Sequence, residues 1–177
     1  MKKILIVGVN GAGKTTFAKE LSEILDIPLI FIDKIYRTDN WCLADKEYAD
    51  SVINSALRED SWIIDGNNKT TLTDRLKCCD TVFYFDFNTV SCLVNCIIRT
   101  IKNYGVQRDD VGGSNNIEKF DLNKLYFFKS VLSFNRNNRK DYYDMINSVQ
   151  GLNLIVFKNR KQVNEYLKKI RKQNENY

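Results

Sequence analysis

The chain has 177 residues, of which 44% are hydrophobic and 28% are charged, so its length and composition suit one compact globular domain. It contains no histidine, and its five cysteines show no CxxC spacing, which excludes histidine-based acid–base chemistry and argues against a zinc–thiolate centre. The formal net charge of +5 favours an anionic partner, either a nucleic acid or the phosphates of a nucleotide.

Short apolar runs alternate with segments of helical spacing along the whole chain. A strand over residues 4–7 is followed by a helix containing 17–25, and a strand over 29–32 by a helix over 45–57. Strands over 62–64 and 81–85 come next, then helical spacing over 90–101 and 122–149, a strand over 152–157 and a helix over 163–170. Such alternation implies a parallel sheet with right-handed crossovers. The sequence therefore predicts one three-layer, doubly wound α/β domain with five parallel strands over residues 1–177.

The region from residue 90 to residue 140 combines a clear helix with a polar loop. Val90, Val94 and Ile98 belong to the cleanest amphipathic helical pattern of the chain. From Tyr104 to residue 116 that pattern stops, and glycine, asparagine and charged residues predict a mobile polar loop. Helical spacing resumes at Leu122, so residues 104–140 are predicted to form a small helical lid.

Residues 8–15 match the P-loop pattern G-x-x-x-x-G-K-[ST] without a mismatch. Glycines let such a loop wrap so that backbone N–H groups point at phosphate oxygens. Lys14 is predicted to reach the β- and γ-phosphates, and the Thr15 hydroxyl to hold Mg²⁺. The alternative is a tight turn with a solvated lysine; a dinucleotide site is rejected because Thr16 stands where G-x-G-x-x-G needs a small residue. The predicted ATP-binding residues are Gly8, Val9, Asn10, Gly11, Ala12, Gly13, Lys14, Thr15 and Thr16.

Three aspartates follow predicted strands, at the sheet edge where open parallel sheets bind ligands. They are Asp33, Asp65 and Asp86. One is expected to hold the water shell of Mg²⁺, and another to orient the acceptor hydroxyl or phosphate. For each aspartate taken alone, a helix N-cap or a turn is the alternative.

Arginines surround the polar loop. Arg99 lies near the end of the helix that enters it, Arg108 lies within it, and Arg136 and Arg139 follow the helix that leaves it. Guanidinium groups bind phosphoryl oxygens bidentately, so the cluster predicts a lid that closes over the phosphates, with Lys14, Arg99, Arg108 and Arg136 as catalytic residues. Each arginine taken alone is more typical of a solvated surface than of a functional site.

Several short segments resemble the adenylate-kinase-like P-loop kinases. Residues 63–66 resemble the strand-end Asp-Gly of nucleoside monophosphate kinases, and residues 85–86, followed by the Arg99 helix, resemble their approach to the lid. A closer resemblance is to the bacterial DNA topology modulation protein family, and it extends over roughly residues 1–170. It is carried by residues 32–34, 62–67, 80–82 with 85–86, and 120–122.

This resemblance implies a five-stranded core, ATP with Mg²⁺, an acceptor-binding segment after the second strand and a small lid. It implies that Lys14 and Thr15 take the phosphate and metal positions, that Asp65 holds Mg²⁺ through water, and that Arg99 and Arg108 are lid arginines.

The acceptor motif departs from the resemblance. Nucleoside monophosphate kinases continue Asp-Gly with Phe-Pro-Arg, whereas Asn67-Asn68-Lys69 follows here. The arginine that would bind the acceptor phosphate is absent, and Arg75 is the candidate substitute. The predicted acceptor-binding residues are Asp33, Asn67 and Arg75, and the acceptor need not be a nucleoside monophosphate.

These observations predict a kinase that transfers the γ-phosphate of Mg-ATP to an unidentified nucleotide, nucleoside or other hydroxyl compound. The alternative is a nucleotide-dependent regulator of DNA topology, or a nucleic-acid binder without turnover. This alternative is supported by the net charge and by the basic run over residues 158–172. The same run can also be interpreted as the solvated face of the terminal helix. A third hypothesis is a protein that binds a nucleotide but no longer catalyses a reaction.

The chain begins with a short apolar run, which Asn10 and Lys14 break too soon for a secretory signal peptide. No other run is long enough to span a bilayer. The sequence therefore predicts a cytoplasmic protein without a membrane partner.

Overall fold

The computed structural model describes residues 1–174, and its centre is a sheet of five parallel strands. The strands are β1 (Lys3–Gly8), β2 (Leu29–Phe31), β3 (Trp62–Asp65), β4 (Thr81–Phe85) and β5 (Asn153–Phe157), in the spatial order β2-β3-β1-β4-β5. All four residues of β3 and all five of β4 are buried, which requires cover on both faces of the sheet. The predicted doubly wound α/β fold is confirmed.

Eight α-helices connect and flank these strands in the described part of the chain. They are α1 (Lys14–Leu25), α2 (Ile32–Tyr36), α3 (Lys46–Arg58), α4 (Leu72–Cys78), α5 (Thr89–Lys102), α6 (Leu122–Asn137), α7 (Arg139–Asn147) and α8 (Arg160–Asn174). Asp45, Asn88 and Asp121 accept backbone N–H bonds at the starts of α3, α5 and α6, as N-cap residues do. Over residues 1–174, we find no helix with the length and apolarity needed to cross a bilayer.

The second strand is shorter than predicted. It ends at Phe31, because Ile32 already begins α2. Asp33 therefore lies in the first turn of a short helix and not at the end of a strand. A negative charge is favourable there, because the first backbone N–H groups of a helix are unpaired.

Aromatic side chains of β4 show which helices cover which face. Phe83 and Phe85 alternate along the strand and pack edge-on against Phe17 of α1, with ring centroids 4.9 and 5.4 Å apart. Tyr84, on the opposite face, packs against Tyr142 and Tyr143 of α7. The sheet is thus enclosed between a layer containing α1 and a layer containing α7.

The order of the strands positions the functional site. From β1 the chain runs to β2 and β3 on one side, and then crosses to β4 and β5 on the other side. The C-terminal end of β1 is therefore the switch point, where open α/β sheets bind ligands. Ile6 of β1 pairs in register with Asp65 of β3, so this carboxylate lies beside the loop that follows β1.

The amphipathic spacing of α5 correctly predicts a helix, but its apolar stripe does not face the core. Cys92, Cys96 and Thr100 are the buried residues of α5, whereas Val90 and Ile98 are exposed. The reason is that α5 lies directly against the P-loop: a Cβ at Gly11 would stand 2.7 Å from Cys96 Sγ and 2.3 Å from the Cys92 carbonyl oxygen. Only small side chains fit at so close an approach.

Candidate active site

The loop between β1 and α1 has a backbone conformation that depends on its glycines. Gly8, Gly11 and Gly13 have φ angles of 129°, 85° and 85°, which lie in a region that other L-residues rarely adopt. A Cβ at Gly8 would also lie 2.3 Å from the carbonyl oxygen of Phe85. Helix α1 starts at Lys14, so its unpaired N-terminal N–H groups border the loop.

The side chain of Lys14 lies inside the loop. Its Nζ donates to the carbonyl oxygens of Gly8 (2.9 Å) and Val9 (3.0 Å) and to Asn10 Oδ1 (3.3 Å). Burial lowers the pKa of Lys14, against the opposing charges of Asp65 and Asp33. An ammonium group surrounded mainly by neutral oxygens is suited to receive an anion, because phosphate oxygens would supply the missing negative charge.

Thr15 and Asp65 form an oxygen pair next to Lys14. The Thr15 hydroxyl donates to Asp65 Oδ2 at 2.6 Å, while Asp65 Oδ1 is buried and has no hydrogen-bond partner among the described residues. Burial raises the pKa of Asp65, because the carboxylate is kept from water. Hydroxyl and carboxylate oxygens are the donors that Mg²⁺ prefers, and an unpaired buried oxygen fits its hydration shell. The residues present therefore fit a magnesium ion.

Asn67 braces the P-loop. Its Oδ1 accepts from the backbone N–H of Gly8 (3.0 Å), and its Nδ2 donates to the Gly8 carbonyl (2.7 Å) and to Asn10 Oδ1 (3.2 Å). Both the oxygen and the nitrogen of this amide group therefore have hydrogen-bond partners. Asn67 also lines the cavity, so its role as an acceptor-binding residue stays a prediction, while its amide group holds the loop between β1 and α1.

One cavity of about 1110 Å³ joins the P-loop to the lid. Its walls are the P-loop, α2 with the segment after it, the loop over residues 106–110, α5 and α6. Of the predicted residues, it is lined by Asn10, Gly11, Gly13, Lys14, Thr15, Thr16, Asp33, Asp65, Asn67, Arg99 and Arg108. Gly8, Val9 and Ala12 shape the loop from within the fold, where Val9 and Ala12 are fully buried.

Arg99 and Arg108 meet at Glu118, a fully buried carboxylate. Glu118 Oε1 lies 3.6 Å from Arg99 Nε and 3.6 Å from Arg108 Nη1, and Oε2 accepts from Lys124 and from the Thr100 hydroxyl. Burial would raise the pKa of Glu118, but the Lys124 hydrogen bond and the two arginines hold it below its ordinary value. Glu118 thus positions both arginines at the cavity, a role that no local sequence pattern indicated.

Arg108 also pairs with a neighbour in its own loop. Its Nε and Nη2 donate to Asp110 Oδ1 and Oδ2 at 2.9 and 2.5 Å. This bidentate geometry is the one that a guanidinium adopts with a phosphate group. The contact therefore shows that the guanidinium is presented as a fork at the cavity wall.

The predicted catalytic role of Arg136 is not compatible with its position. Arg136 is exposed at the C-terminal end of α6 and does not line the cavity. It follows Phe127, which does line the cavity, by nine residues, or two and a half helical turns, so it points to the opposite side of α6. The interpretation of Arg136 as a lid arginine is wrong for this reason.

Asp86 is also placed away from the cavity. Its Oδ2 accepts from Arg139 Nε (3.0 Å), from the Tyr143 hydroxyl (3.1 Å) and from Lys158. These partners come from α7 and from the turn after β5. Asp86 therefore links the end of β4 to α7 and to the end of β5. Only Asp33 and Asp65 of the three strand-end aspartates reach the cavity.

Arg75 is a buried support and does not reach the acceptor region. Its side chain is fully buried beneath residues 66–71, and it donates to the carbonyl oxygens of Gly66 (2.9 Å), Thr71 (3.3 Å) and Asn68. Burial lowers the pKa of Arg75 to about 10. The prediction that Arg75 binds the acceptor is therefore corrected.

Replacing Arg75 with leucine is expected to lower the free energy of unfolding by about 2–4 kcal/mol. The partly buried carbonyl groups of Gly66 and Asn68 would lose their charged donor. Urea unfolding measures the change, with Arg58→Leu, an exposed arginine on α3, as the control. Equal losses for the two variants would contradict the supporting role of Arg75.

The lid loop is joined to the segment after α2. The fully buried Asn116 accepts from the backbone N–H of Trp41 and donates to the carbonyls of Thr38 (3.0 Å) and Gly112. Trp41 has a φ of 63°, an unusual value for a bulky residue, and Asn116 helps to hold it there. A Cβ at Gly112 would lie 2.1 Å from the carbonyl oxygen of Lys34. The loop predicted as mobile thus packs backbone to backbone on α2 and the segment after it.

Much of the basic run near the C-terminus lies on the outward side of α8, although Lys158, before the helix, pairs with Asp86. Val163, Leu167 and Ile170 are buried at helical spacing, so the lysines and arginines between them face water. This matches the simpler of the two readings of that run.

The comparisons with known proteins support the fold. No family model and no curated protein matches the chain. Among solved structures, it is similar to a shikimate kinase from Bacteroides thetaiotaomicron, with a TM-score of 0.52 and 12% sequence identity over 97% of each chain. The chain therefore shares the α/β fold of that solved structure. The resemblance to bacterial DNA topology modulation proteins has no matching family model and stays a hypothesis.

Proposed function

We propose that this chain transfers the γ-phosphate of Mg-ATP to an oxygen atom of a small acceptor, inside the cavity between the P-loop and the lid. The observation that supports this most directly is the convergence of Lys14, the Thr15–Asp65 pair, Asp33 and two arginines on one cavity. Phosphoryl transfer needs a phosphate cradle, a metal site, positive charge around the transferred group and a group that orients the nucleophile.

The nucleotide half of the cavity is formed by the P-loop. Backbone N–H groups and Lys14 would bind the β- and γ-phosphates, as in other P-loops. Thr15 would hold Mg²⁺ through its hydroxyl and Asp65 through a water molecule. When bound, the metal ion neutralises charge on the phosphate oxygens.

Two arginines supply positive charge from the lid side. Arg99 and Arg108 are held at the cavity by Glu118, and Arg108 presents its fork to Asp110. A γ-phosphate would compete with Asp110 for the same bidentate geometry. Such preorganised charges lower the transition-state energy because they need no reorientation during the reaction.

The acceptor half lies between α2 and the lid. Asp33 is exposed on this wall and acts electrostatically on both Lys14 and Arg108, so its carboxylate is close to the phosphate region. A carboxylate there can orient an acceptor hydroxyl and accept its proton. The volume of about 1110 Å³ exceeds that of typical single-ligand pockets, roughly 300–1,000 Å³, so the cavity has room for a nucleotide and a second molecule.

The acceptor itself is proposed only as a class. The carboxylate of Asp33 favours a hydroxyl compound, and the solved neighbour named above is a kinase with 12% identity. The absence of Phe-Pro-Arg after Asp65-Gly66 argues against a nucleoside monophosphate bound in the usual way. We also propose, on the sequence patterns, a cytoplasmic location and kinship with the topology modulation proteins.

Ligand-induced stabilisation tests this function directly. The protein is expected to be stabilised by a non-hydrolysable ATP analogue only with Mg²⁺, and a true acceptor at a hundred times its Kd should add about 2.7 kcal/mol. The measurement is a thermal-shift panel of nucleosides, nucleotides and sugars, followed by a coupled assay for ADP. The proposal fails if no purine triphosphate binds, and nucleotide binding without ADP formation for any acceptor would favour a protein that binds without turnover.

A further inference from the structure

Helices α5 and α6 pack against each other in antiparallel directions. Asn135, near the end of α6, donates to the carbonyl of Phe87 just before α5, and the rings of Tyr104 and Phe120 stack where the chain leaves one helix and approaches the other. The inner sides of the pair contribute Asn95, Arg99 and Phe127, among other residues, to the cavity.

The outer sides of the same pair carry many exposed apolar side chains. We call this surface the α5–α6 face, and define it by ten side chains of which 44–73% is exposed: Val90, Val94, Ile98, Ile101, Tyr104, Phe120, Leu122, Leu125, Tyr126 and Leu132. Together they expose apolar area on the order of 1,000 Å², whereas the largest patch of a typical monomer covers roughly 300–600 Å². Apolar residues scattered over a surface need no explanation, but ten of them concentrated on one pair of helices do.

The charges on these helices have local explanations. Neither helix contains an acidic residue, and Lys102 and Arg136 lie in the last turns, where basic groups stabilise the helix dipole. Arg99 and Lys124 turn inward to Glu118. Lys129 lies among the apolar residues, with its ammonium 5.8 Å from the ring centroid of Tyr126. The face therefore requires an apolar partner more than an anionic one.

We infer that the α5–α6 face is the contact surface between two copies of this chain, related by a two-fold axis. One surface that pairs with itself is sufficient for such a contact, and two antiparallel helices from each copy would form a four-helix arrangement. An area on the order of 1,000 Å² per copy exceeds the roughly 800 Å² per partner of a standard interface. A centre nearly free of charge is typical of homodimer interfaces.

In such a dimer, the helices that form the cavity wall of one copy would contact the same helices of the other copy. The helices that carry Arg99 and Phe127 on the inside carry the contact on the outside. Association is expected to make the melting temperature rise with protein concentration, because the partner binds only the folded chain.

Sedimentation velocity over about 1 to 100 µM protein tests the inference, because it covers the affinities expected of such an interface. The natural protein is expected to sediment as a particle of twice 20.7 kDa. Ile98→Glu and Tyr126→Glu place a carboxylate at the centre of the face, and each is expected to weaken association about a hundredfold or more. Tyr48→Glu on α3 is the matched control, since Tyr48 is 65% exposed and Tyr126 is 67% exposed.

Circular dichroism and thermal unfolding confirm that the variants are folded, which the exposure of the replaced residues favours. A natural protein that stays monomeric at the highest concentration would overturn the inference, and so would equal weakening by Tyr48→Glu. Binding of a monomeric protein to phosphatidylserine vesicles, lost in Ile98→Glu, would instead assign the face to a lipid surface. None of these outcomes depends on nucleotide binding, so the dimer and the kinase proposal are tested separately.

Discussion

Replacing Lys14 with methionine is expected to reduce phosphoryl transfer by about a hundred- to a thousandfold. Methionine keeps most of the length and volume of the side chain but removes the ammonium group that would meet the β- and γ-phosphates. The low-dielectric site strengthens this interaction, because Lys14 is buried and its charge is poorly compensated by the three neutral oxygens around it. The measurement is the kcat of ADP formation with the acceptor found in the thermal-shift panel.

A neighbouring lysine provides the control. Lys19 lies on the same helix, is half-exposed and pairs with Asp109 at 2.6 Å on the surface. Such a surface pair contributes at most about 1 kcal/mol, so the kcat of Lys19→Met should fall by less than about tenfold. Without nucleotide, Lys14→Met is expected to be as stable as the natural protein or more so, because it no longer buries a charge. Unchanged turnover in Lys14→Met would contradict the proposed mechanism.

The parts of the site that depend on neighbouring residues in the chain were predictable from the sequence. The P-loop is one continuous segment, and its glycines, Lys14 and Thr15 are needed at fixed spacing between a strand and a helix. Asp65 was predictable as well, since parallel strands end at the same edge of a sheet. The register of Ile6 with Asp65 gives the physical reason.

Long-range contacts were not predictable. Arg75 and Asn67 carry groups that suit an acceptor site, but most of their partners are backbone atoms of folded loops, which no sequence pattern indicates. Asn116 was missed because its contacts join segments up to 78 residues apart. Glu118 was missed because its partners belong to α5, the polar loop and α6, which only the fold brings together. Gly112 was a usable signal: a glycine in a polar loop also marks a close backbone approach.

The orientation of α5 does not follow from the spacing of its apolar residues. Apolar residues occupy two sides of this helix, and periodicity alone favours the side with the larger side chains. The structure buries Cys92 and Cys96 instead, because the P-loop approaches too closely for valine or isoleucine. As a result, most of the larger apolar residues of α5 face away from the core and remain exposed.

Replacing Asp33 with asparagine is expected to lower kcat by about a hundred- to ten-thousandfold while nucleotide affinity is retained. The amide keeps the shape of the carboxylate and can still accept a hydrogen bond, but it is far too weak a base to take a proton from a hydroxyl group. The backbone of Asp33, whose carbonyl accepts from Gly112 N–H at 3.3 Å, is unaffected by the substitution. Initial rates and the affinity for the non-hydrolysable ATP analogue, measured on the same variant, separate chemistry from binding.

Asp109→Asn removes one negative charge from the same cavity and is the matched control, because Asp109 is an exposed lid residue that pairs with Lys19. The kcat of Asp109→Asn should fall by less than about tenfold, as expected for a surface pair. A similar fall in both variants would indicate a general effect of cavity charge and would contradict the assignment of Asp33 as the group that orients the acceptor. A large fall confined to Asp33→Asn, with tight nucleotide binding, would localise the acceptor hydroxyl at α2, across the cavity from Lys14.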